Sequence, residues 1–239
     1  MTSDRDTILT LLTIHSFFFK SLTILLYIQP KNITVPDNKS IELLISDRYY
    51  HIFNRGNNYN TVFFKPENYY YFLKKYYMYL SNYIDTYAYC LINNHFHFLI
   101  RTKEKIIYKN REIVDQTEIG RIIGQQFRYF FIAYSMHINI QEHRSGSLFL
   151  KNFKRVMIND EYYLKYIIFY IHYNPVKHNI VNNISSYRYS SYNSLLYKIN
   201  PEIKAAEVLN GIFNSINEFA DFHSHYTSEK KIKDIIIEE

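Results

Sequence analysis

Residues 87–101 read YAYCLINNHFHFLIR, two strand-like runs joined by a pair of asparagines. Residues 87–92 and 95–101 are rich in aromatic and β-branched side chains, which favour strands. Asn93 and Asn94 between them are typical of a tight two-residue connection. The pattern therefore predicts an antiparallel β-hairpin.

On both sides of the hairpin, aromatic, apolar and turn-forming residues predict further elements. They are a strand at 48–53, a helix at 66–83, a helix at 117–136, a strand at 148–158, and a helix from Asp160 to about Tyr173 that Asn174-Pro175 ends. This order predicts an α+β fold in which helices sandwich an antiparallel sheet, and it disfavours a doubly wound parallel sheet.

His95 and His97 lie two apart on the second strand of the hairpin, so both imidazoles project from one face. Phe96 and Phe98 project into a core on the other face. Two imidazoles on one face make half of a metal site. The spacing alone leaves two interpretations open: a metal site, or two histidines at the edge of a sheet.

Composition narrows the class of protein. The 239 residues suit one sizeable domain with an appendage. A single cysteine, Cys90, excludes an internal disulfide framework and a cysteine zinc cluster, and it fits a cytoplasmic, reducing location.

The formal charge is +6, and residues 101–188 carry 14 basic and 7 acidic side chains. Tyr and Phe are interleaved with these charges, a combination that neutralises phosphates and stacks on unpaired bases. The alternative is an ordinary solvated positive face.

The chain divides into three predicted parts: an atypical N-terminal extension at 1–46, a domain at 47–197, and a helical adjunct with a charged tail at 198–239. The apolar run 8–28 leaves an interfacial or membrane-spanning helix open, although Lys20 and polar residues interrupt it. Within 205–222, apolar spacing predicts an amphipathic helix, either in the core or as a DNA-recognition arm. Limited proteolysis that removes the extension first would support this division.

Several motifs, in order, resemble the single-tyrosine HUH transposases, in the branch of REP-associated tyrosine transposases. They cover about residues 47–197. The motifs are YHIFNRGNN at 50–58, VFF at 62–64, AYCLINNHFHFLI at 88–100, GSLFLKNFK at 146–154, YIHYNPV at 170–176 and YSSY at 189–192. The sequence departs from the family at Ile92-Asn93, where Met-Pro is usual before the Asn-His pair.

The resemblance implies that His95 and His97 bind one divalent cation, Mg or Mn, which polarises a scissile phosphate. By ligand preference alone, an imidazole pair suits zinc or manganese better than magnesium. The implied reaction nicks and rejoins single-stranded or hairpin DNA through a 5′-phosphotyrosine, with no small-molecule substrate. The sequence leaves the choice between monomer and homodimer open.

The nucleophile is harder to assign, because relatives often carry a Tyr where this sequence has Phe153. Related transposases place a nucleophilic Tyr and a Gln four residues apart on a helix. Tyr170 and Asn174 match that spacing and share one helical face. Tyr162, Tyr163 and Tyr166 on the same predicted helix rank lower, and Tyr170 is equally interpretable as a core aromatic.

A basic face is predicted to bind the DNA. It is formed by Lys151, Lys154 and Arg155, with Arg55 and Arg128 as neighbours.

Three functions remain from the sequence. The first is the DNA strand transferase, and the second is a DNA-binding descendant that no longer nicks. The third is a hydrolase, which would need a nearby carboxylate ligand, and none lies between Asp85 and Glu104.

Overall fold

The predicted hairpin forms half of a four-stranded antiparallel sheet in a computed structural model, which describes residues 43–228. The strands and helices are β1 (Tyr49–Arg55), α1 (Pro66–Leu80), β2 (Ile84–Ile92), β3 (His95–Thr102), β4 (Ile106–Tyr108), β5 (Arg111–Ile113), α2 (Gln116–Gln141), β6 (Lys154–Ile158), α3 (Glu161–Lys177), α4 (Tyr192–Tyr197) and α5 (Ile216–Ser228). Short 3-10 turns lie at Asn57–Tyr59 and Ile184–Ser186, and a π-helical turn lies at Glu207–Ile212.

The strand order in the sheet is β2-β3-β1-β6, so β3 and β1 are the inner strands. Asn93 and Asn94 join β2 to β3 as predicted. In the register, His97 lies opposite Phe53 of β1 and Cys90 of β2. Residues opposite each other in an antiparallel pair share a face of the sheet, so this register decides which side chains meet across strands.

Helices cover both faces of the sheet. On one face α1 and α2 pack through aromatic rings, with Phe72 of α1 at 5.2 Å from Phe96 and 4.7 Å from Phe130 between ring centroids. On the other face α3 packs against β2 and β3, and the Tyr170 ring meets His97. The predicted α+β fold, with an antiparallel sheet between helices, is confirmed.

The predicted strand at 148–158 is shorter in the structure, because β6 begins at Lys154. The chain before it makes two separate contacts with the end of β1: Phe149 bridges to Gly56, and the Leu150 N–H donates to the Arg55 carbonyl. A bend at 151–153 separates these contacts from β6.

Pro175 does not end α3, which continues to Lys177. Proline removes one backbone donor and disfavours a helical residue before it, and this predicts a boundary at Asn174. Pro175 lies in the last turn, so only one intrahelical bond is lost, and the Asn174 carbonyl still accepts from the His178 N–H. Tertiary packing of the buried Asn174 side chain outweighs the local preference.

Two helix ends also differ from the prediction: α1 ends at Leu80 and not at residue 83, and α2 extends to Gln141 and not only to residue 136. The β4–β5 hairpin was not predicted. Its signal is the Lys109-Asn110 pair, both at positive φ, as a tight hairpin turn requires.

The C-terminal amphipathic pattern forms two pieces, the turn Glu207–Ile212 and helix α5, with Asn214 at positive φ between them. Phe213 and Phe219 are fully buried. This segment therefore contributes to the core and is not an exposed DNA-recognition arm.

A buried hydrogen-bond chain joins α5 to α3. The His223 Nδ1 donates to the Phe219 carbonyl (2.7 Å), so its Nε2 accepts from His172 Nδ1 (3.0 Å). The His172 Nε2 then accepts from the Ser191 hydroxyl (2.8 Å).

Residues 43–228 belong to one compact unit. Leu44 is 2% exposed and the Ile45 carbonyl accepts from the Thr102 hydroxyl, so the last residues of the predicted extension pack on the sheet. The run 8–28, the rest of the extension and the tail after 228 lie outside the described residues, and the three-part division stays a prediction. Within 43–228 no helix has the length and apolarity that crossing a membrane requires.

Candidate functional site

The two histidines share the face of β3 that α3 covers, as the strand period predicts. His95 is 8% exposed and His97 is fully buried. Their ring centroids lie 5.3 Å apart with the planes at 87°. The imidazoles are therefore close enough to act on one ligand.

His95 is held by two asparagines. Its Nδ1 lies 2.7 Å from the Asn94 Oδ1, and its Nε2 lies 2.9 Å from the Asn174 Oδ1. Both partner atoms are amide oxygens, which only accept hydrogen bonds, and a neutral imidazole has one N–H to donate. When Nδ1 donates to Asn94, the Nε2 lone pair and the Asn174 Oδ1 face each other as two acceptors, an arrangement that suits two ligands of one cation.

His97 is held by a residue that the sequence did not single out. The His51 Nε2 on β1 lies 2.9 Å from the His97 Nδ1, and the two rings are nearly parallel at 19°. His51 is fully buried. Its signal in the sequence is its place in the YHIFNRGNN motif, two residues before Phe53, which puts it on the same strand face as Phe53 and hence as His97.

Tyr170 lies directly beside the histidine pair. Its ring meets the edge of His97 at 5.6 Å and of His51 at 6.1 Å between centroids. The hydroxyl accepts from the Lys177 Nζ at 3.4 Å, and the whole side chain is buried. The structure therefore brings Tyr170 to the predicted site, in surroundings that keep its hydroxyl from solvent.

The helical spacing of α3 gathers the other groups. Asn174, Lys177 and His178 follow Tyr170 by four, seven and eight residues and so continue one helical face. The exposed His178 has its ring 4.8 Å from that of His95, at the outer end of this face. At this end the face reaches solvent.

The lower-ranked tyrosines of α3 lie toward the N-terminal end of the helix, farther from Asn174 than Tyr170 does. Burial raises the pKa of Tyr163 to about 12 and raises the pKa of Tyr166 further, because a buried phenolate is poorly solvated. Tyr162 is exposed and lies two turns before Tyr170.

The donor set beside His95 fits a divalent cation. Ligands at about 2.1 Å in octahedral geometry lie about 3 Å apart when adjacent, and the His95 Nε2 and Asn174 Oδ1 are 2.9 Å apart. The Asn174 Nδ2 is buried and has no hydrogen-bond partner among the described residues, so the amide is held by its oxygen side alone. Residues 43–228 contain no cluster of three His, Cys, Asp or Glu suited to a metal, so such an ion would depend on imidazole and amide donors.

The five cations predicted to bind DNA do not form one face. Arg155 lies opposite Ile52 and projects toward α2, where it lines a cleft of about 660 Å³ with Arg128 and Lys151. Lys154 lies opposite Phe53 and therefore projects to the histidine side.

Arg55 also lies on the histidine side, because it is opposite His95. The prediction of a single basic face is corrected for a simple reason: successive residues of a strand point to opposite faces. Three cations line the cleft, and two flank the histidine pair.

Phe153 lies in the cleft. Its ring packs on Phe127 and Phe131 of α2, and the Arg155 guanidinium lies 4.7 Å above it. A tyrosine hydroxyl at this position would lie on the α2 side of the sheet. Because Phe153 lies on the α2 side, the lack of a hydroxyl at this position takes no reactive group away from the histidine face.

Comparisons with known proteins identify similar proteins of one kind. A curated protein of Haemophilus influenzae that carries the name of a REP-associated tyrosine transposase is 29% identical over 109 residues, covering 45% of this chain and 58% of the relative. The solved structure of a REP-associated tyrosine transposase bound to a REP hairpin aligns with 70% of this chain and 89% of its own, at 15% identity and a TM-score of 0.46. No protein-family model matches the chain.

Proposed function

This chain resembles the REP-associated tyrosine transposases, as its motifs predicted, and from that premise we propose that it nicks and rejoins single-stranded or hairpin DNA. One observation carries the proposal. Tyr170 and Asn174 of α3 meet His95 and His97 of β3, so a hydroxyl nucleophile, an amide oxygen and two imidazoles converge from two elements.

We propose that His95, His97 and Asn174 hold a divalent cation, Mg or Mn. When bound, such an ion supplies positive charge to the phosphoryl oxygens of the scissile phosphate. Asn94 keeps the His95 proton on Nδ1 and thereby leaves Nε2 as the donor atom. Arg55 and Lys154 on the same face add positive charge for the flanking phosphates.

In the proposed reaction the Tyr170 oxygen attacks phosphorus and loses its proton, while the bond from phosphorus to the 3′-oxygen breaks. The 3′-oxygen leaves with a proton as a 3′-hydroxyl, and the 5′-phosphate stays on the tyrosine. Attack by a 3′-hydroxyl on that phosphotyrosine reverses the step and joins new ends.

The buried position of Tyr170 sets a condition on this reaction. Its hydroxyl accepts from the Lys177 Nζ, and Lys177 is exposed. A phosphate would reach the hydroxyl only if the Lys177 side chain moves aside. Lys177 would then remain beside the reacting oxygen as a cation.

A second function is favoured by the same burial. A fully buried Tyr170 is also what a core aromatic residue would show. In that case the protein binds DNA through its cations without cleaving it, and the histidine face is a remnant of the strand transferase.

A labelled hairpin with single-stranded flanks, incubated with Mn²⁺ or Mg²⁺, separates the two functions. The transferase leaves a protein–DNA adduct that survives boiling in detergent, and we expect Tyr170→Phe to abolish it. Tyr173→Phe, on the next turn of α3, is the matched control and should form the adduct at the wild-type rate.

The double variant His95→Ala, His97→Ala should lose the metal-dependent adduct and keep its far-UV circular dichroism. Adduct formation by Tyr170→Phe at the wild-type rate would assign the nucleophile elsewhere. Hairpin binding with no adduct from the wild-type protein would establish the binding function instead.

A further inference from the structure

A third buried histidine accompanies His95 and His97. His51 lies on β1 beside β3, on the face that α3 covers, and it stacks on Phe53 with centroids 4.8 Å apart. An apolar side chain would fill this place without the cost of burying a polar ring. The hydrogen bond between its Nε2 and the His97 Nδ1, at 2.9 Å, is the interaction that a non-polar residue would lose.

The direction of that hydrogen bond determines which His97 nitrogen has a lone pair available to bind a cation. If His97 donates from Nδ1, its Nε2 keeps a lone pair, which is the form that binds a cation. If His51 donates instead, a neutral His97 carries its proton on Nε2 and that nitrogen binds no cation. One proton position on His51 therefore permits the site, and the other blocks it.

His95 shows the same arrangement at its Nδ1, which faces the Asn94 Oδ1, an atom that only accepts. In the proposed centre the His95 Nε2 and the Asn174 Oδ1, 2.9 Å apart, both bind the cation. A centre that uses both histidines through the same atom needs the equivalent acceptor at the His97 Nδ1. On this strand face, the His51 Nε2 is in that position.

We infer that His51 is a positioning residue of the proposed metal centre: it accepts from the His97 Nδ1 and so presents the His97 Nε2. This inference rests on the proposed function, since it assigns a residue that acts through one of the proposed ligands. Outer partners of metal-binding histidines typically change metal affinity by about 10- to 100-fold when they are removed.

The test compares three variants by titration of the purified protein with Mn²⁺ and with Co²⁺, the latter followed by visible absorption. His51→Phe keeps the ring volume but loses the acceptor, and we expect the dissociation constant to rise about 10- to 100-fold. His51→Gln keeps an acceptor oxygen and should recover most of the affinity.

His172→Phe is the matched control, because it removes a buried histidine–histidine hydrogen bond away from the proposed metal centre, the one between His172 of α3 and His223. It should lower the melting temperature without changing the metal affinity.

Nitrogen-15 NMR of the imidazoles in the metal-free wild-type protein gives a readout that does not depend on variant folding. We expect the His97 proton on Nδ1. A proton on Nε2, or wild-type metal affinity in His51→Phe, would overturn the inference and leave the proposed function standing. Wild-type protein that binds neither ion, or metal affinity unchanged in His95→Ala, His97→Ala, would overturn the proposed metal centre and the inference with it.

Discussion

Histidines in this protein occupy two kinds of buried environment, and the difference lies in which atoms their neighbours offer. At His95 and His97 each Nδ1 faces an acceptor atom or a second imidazole, and the rings adjoin the α3 face that ends at the exposed His178. At His172 and His223 both ring nitrogens are used in one internal chain from the Phe219 carbonyl to Ser191. The second pair is therefore structural.

The structural pair predicts a dependence of stability on pH. Burial lowers the pKa of His223 to about 4, and burial together with the neighbouring His223 lowers the pKa of His172 well below its usual value. The unfolded chain titrates near 6.5, so between pH 6.5 and 4 it binds protons that the folded protein does not, and stability falls as pH falls. From pH 7 to 5 we expect His223 alone to account for about 2 kcal/mol, at about 1.4 kcal/mol for each pH unit below 6.5.

Chemical denaturation at pH 7 and pH 5 measures this loss, and His223→Phe should be less sensitive to the change. Equal loss in the wild type and in His223→Phe would mean that other groups control it.

Helix α3 shows how one element gathers a site. Its 3.6-residue period places Tyr170 and Asn174 on one face, and the continuation through Pro175 keeps His178 in line with them. An earlier end at Asn174 would have left the amide on a loop. The helix therefore positions the amide oxygen at His95, and packing holds it there.

Helix α2 offers a test of the packing of residues 43–46. A Cβ at Gly120 would lie 1.7 Å from the Leu44 carbonyl oxygen, whereas a Cβ at Gly124, one turn later, would meet nothing within 4 Å. Helix propensity alone predicts that alanine stabilises both positions by about 0.5–1 kcal/mol. The close approach of Leu44 reverses this at Gly120, where we expect a loss of about 1–3 kcal/mol from overpacking.

Thermal unfolding of the two variants measures the difference, at about 2–4 °C for each kcal/mol in a domain of this size. Gly124→Ala is the control and should melt above the wild type. Stabilisation by Gly120→Ala as well would show that Leu44 does not lie against α2.

At the scale of the whole molecule, the sheet separates two sets of cations. Arg128, Lys151 and Arg155 line the cleft beside α2, and Arg55 and Lys154 flank the histidines on the other face. At the edge formed by β6, one of the two outer strands of the sheet, Lys154 and Arg155 are neighbours, and each belongs to a different set. Removing this adjacent pair affects both faces at once.

We expect the variant Lys154→Ala, Arg155→Ala to bind single-stranded DNA with a shallower salt dependence. Each lost phosphate contact reduces the slope of log K against log salt by about 0.7, so the pair should reduce it by about 1.4. Fluorescence anisotropy over a series of salt concentrations measures the slope.

Lys105 and Lys109 flank β4, and the variant Lys105→Ala, Lys109→Ala removes the same charge and should leave the slope unchanged. Equal slopes for the wild type and Lys154→Ala, Arg155→Ala would remove these residues from the DNA interface. A change of the same size in the control would indicate a general charge effect.

Much of this architecture can be predicted from the sequence alone, because it depends on local backbone geometry. The period of two along HFHF puts His95 and His97 on one face, and Asn93-Asn94 makes the hairpin, whatever surrounds them. The helical period of 170–178 likewise places Tyr170 and Asn174 together. The alternation of element types predicts the α+β fold, and the ordered motifs predict the resemblance to REP-associated tyrosine transposases.

Local sequence patterns do not determine which strands and helices pack against each other. His51 reaches His97 only through the register of β1 against β3, and Asn174 reaches His95 only because α3 docks on that face and continues past Pro175. The bend at 151–153 places Lys151 on the cleft side with Arg155. These are contacts between residues far apart in the chain. They are decided by the packing of the core and not by the conformational preference of any one segment, so they emerge only from the folded structure.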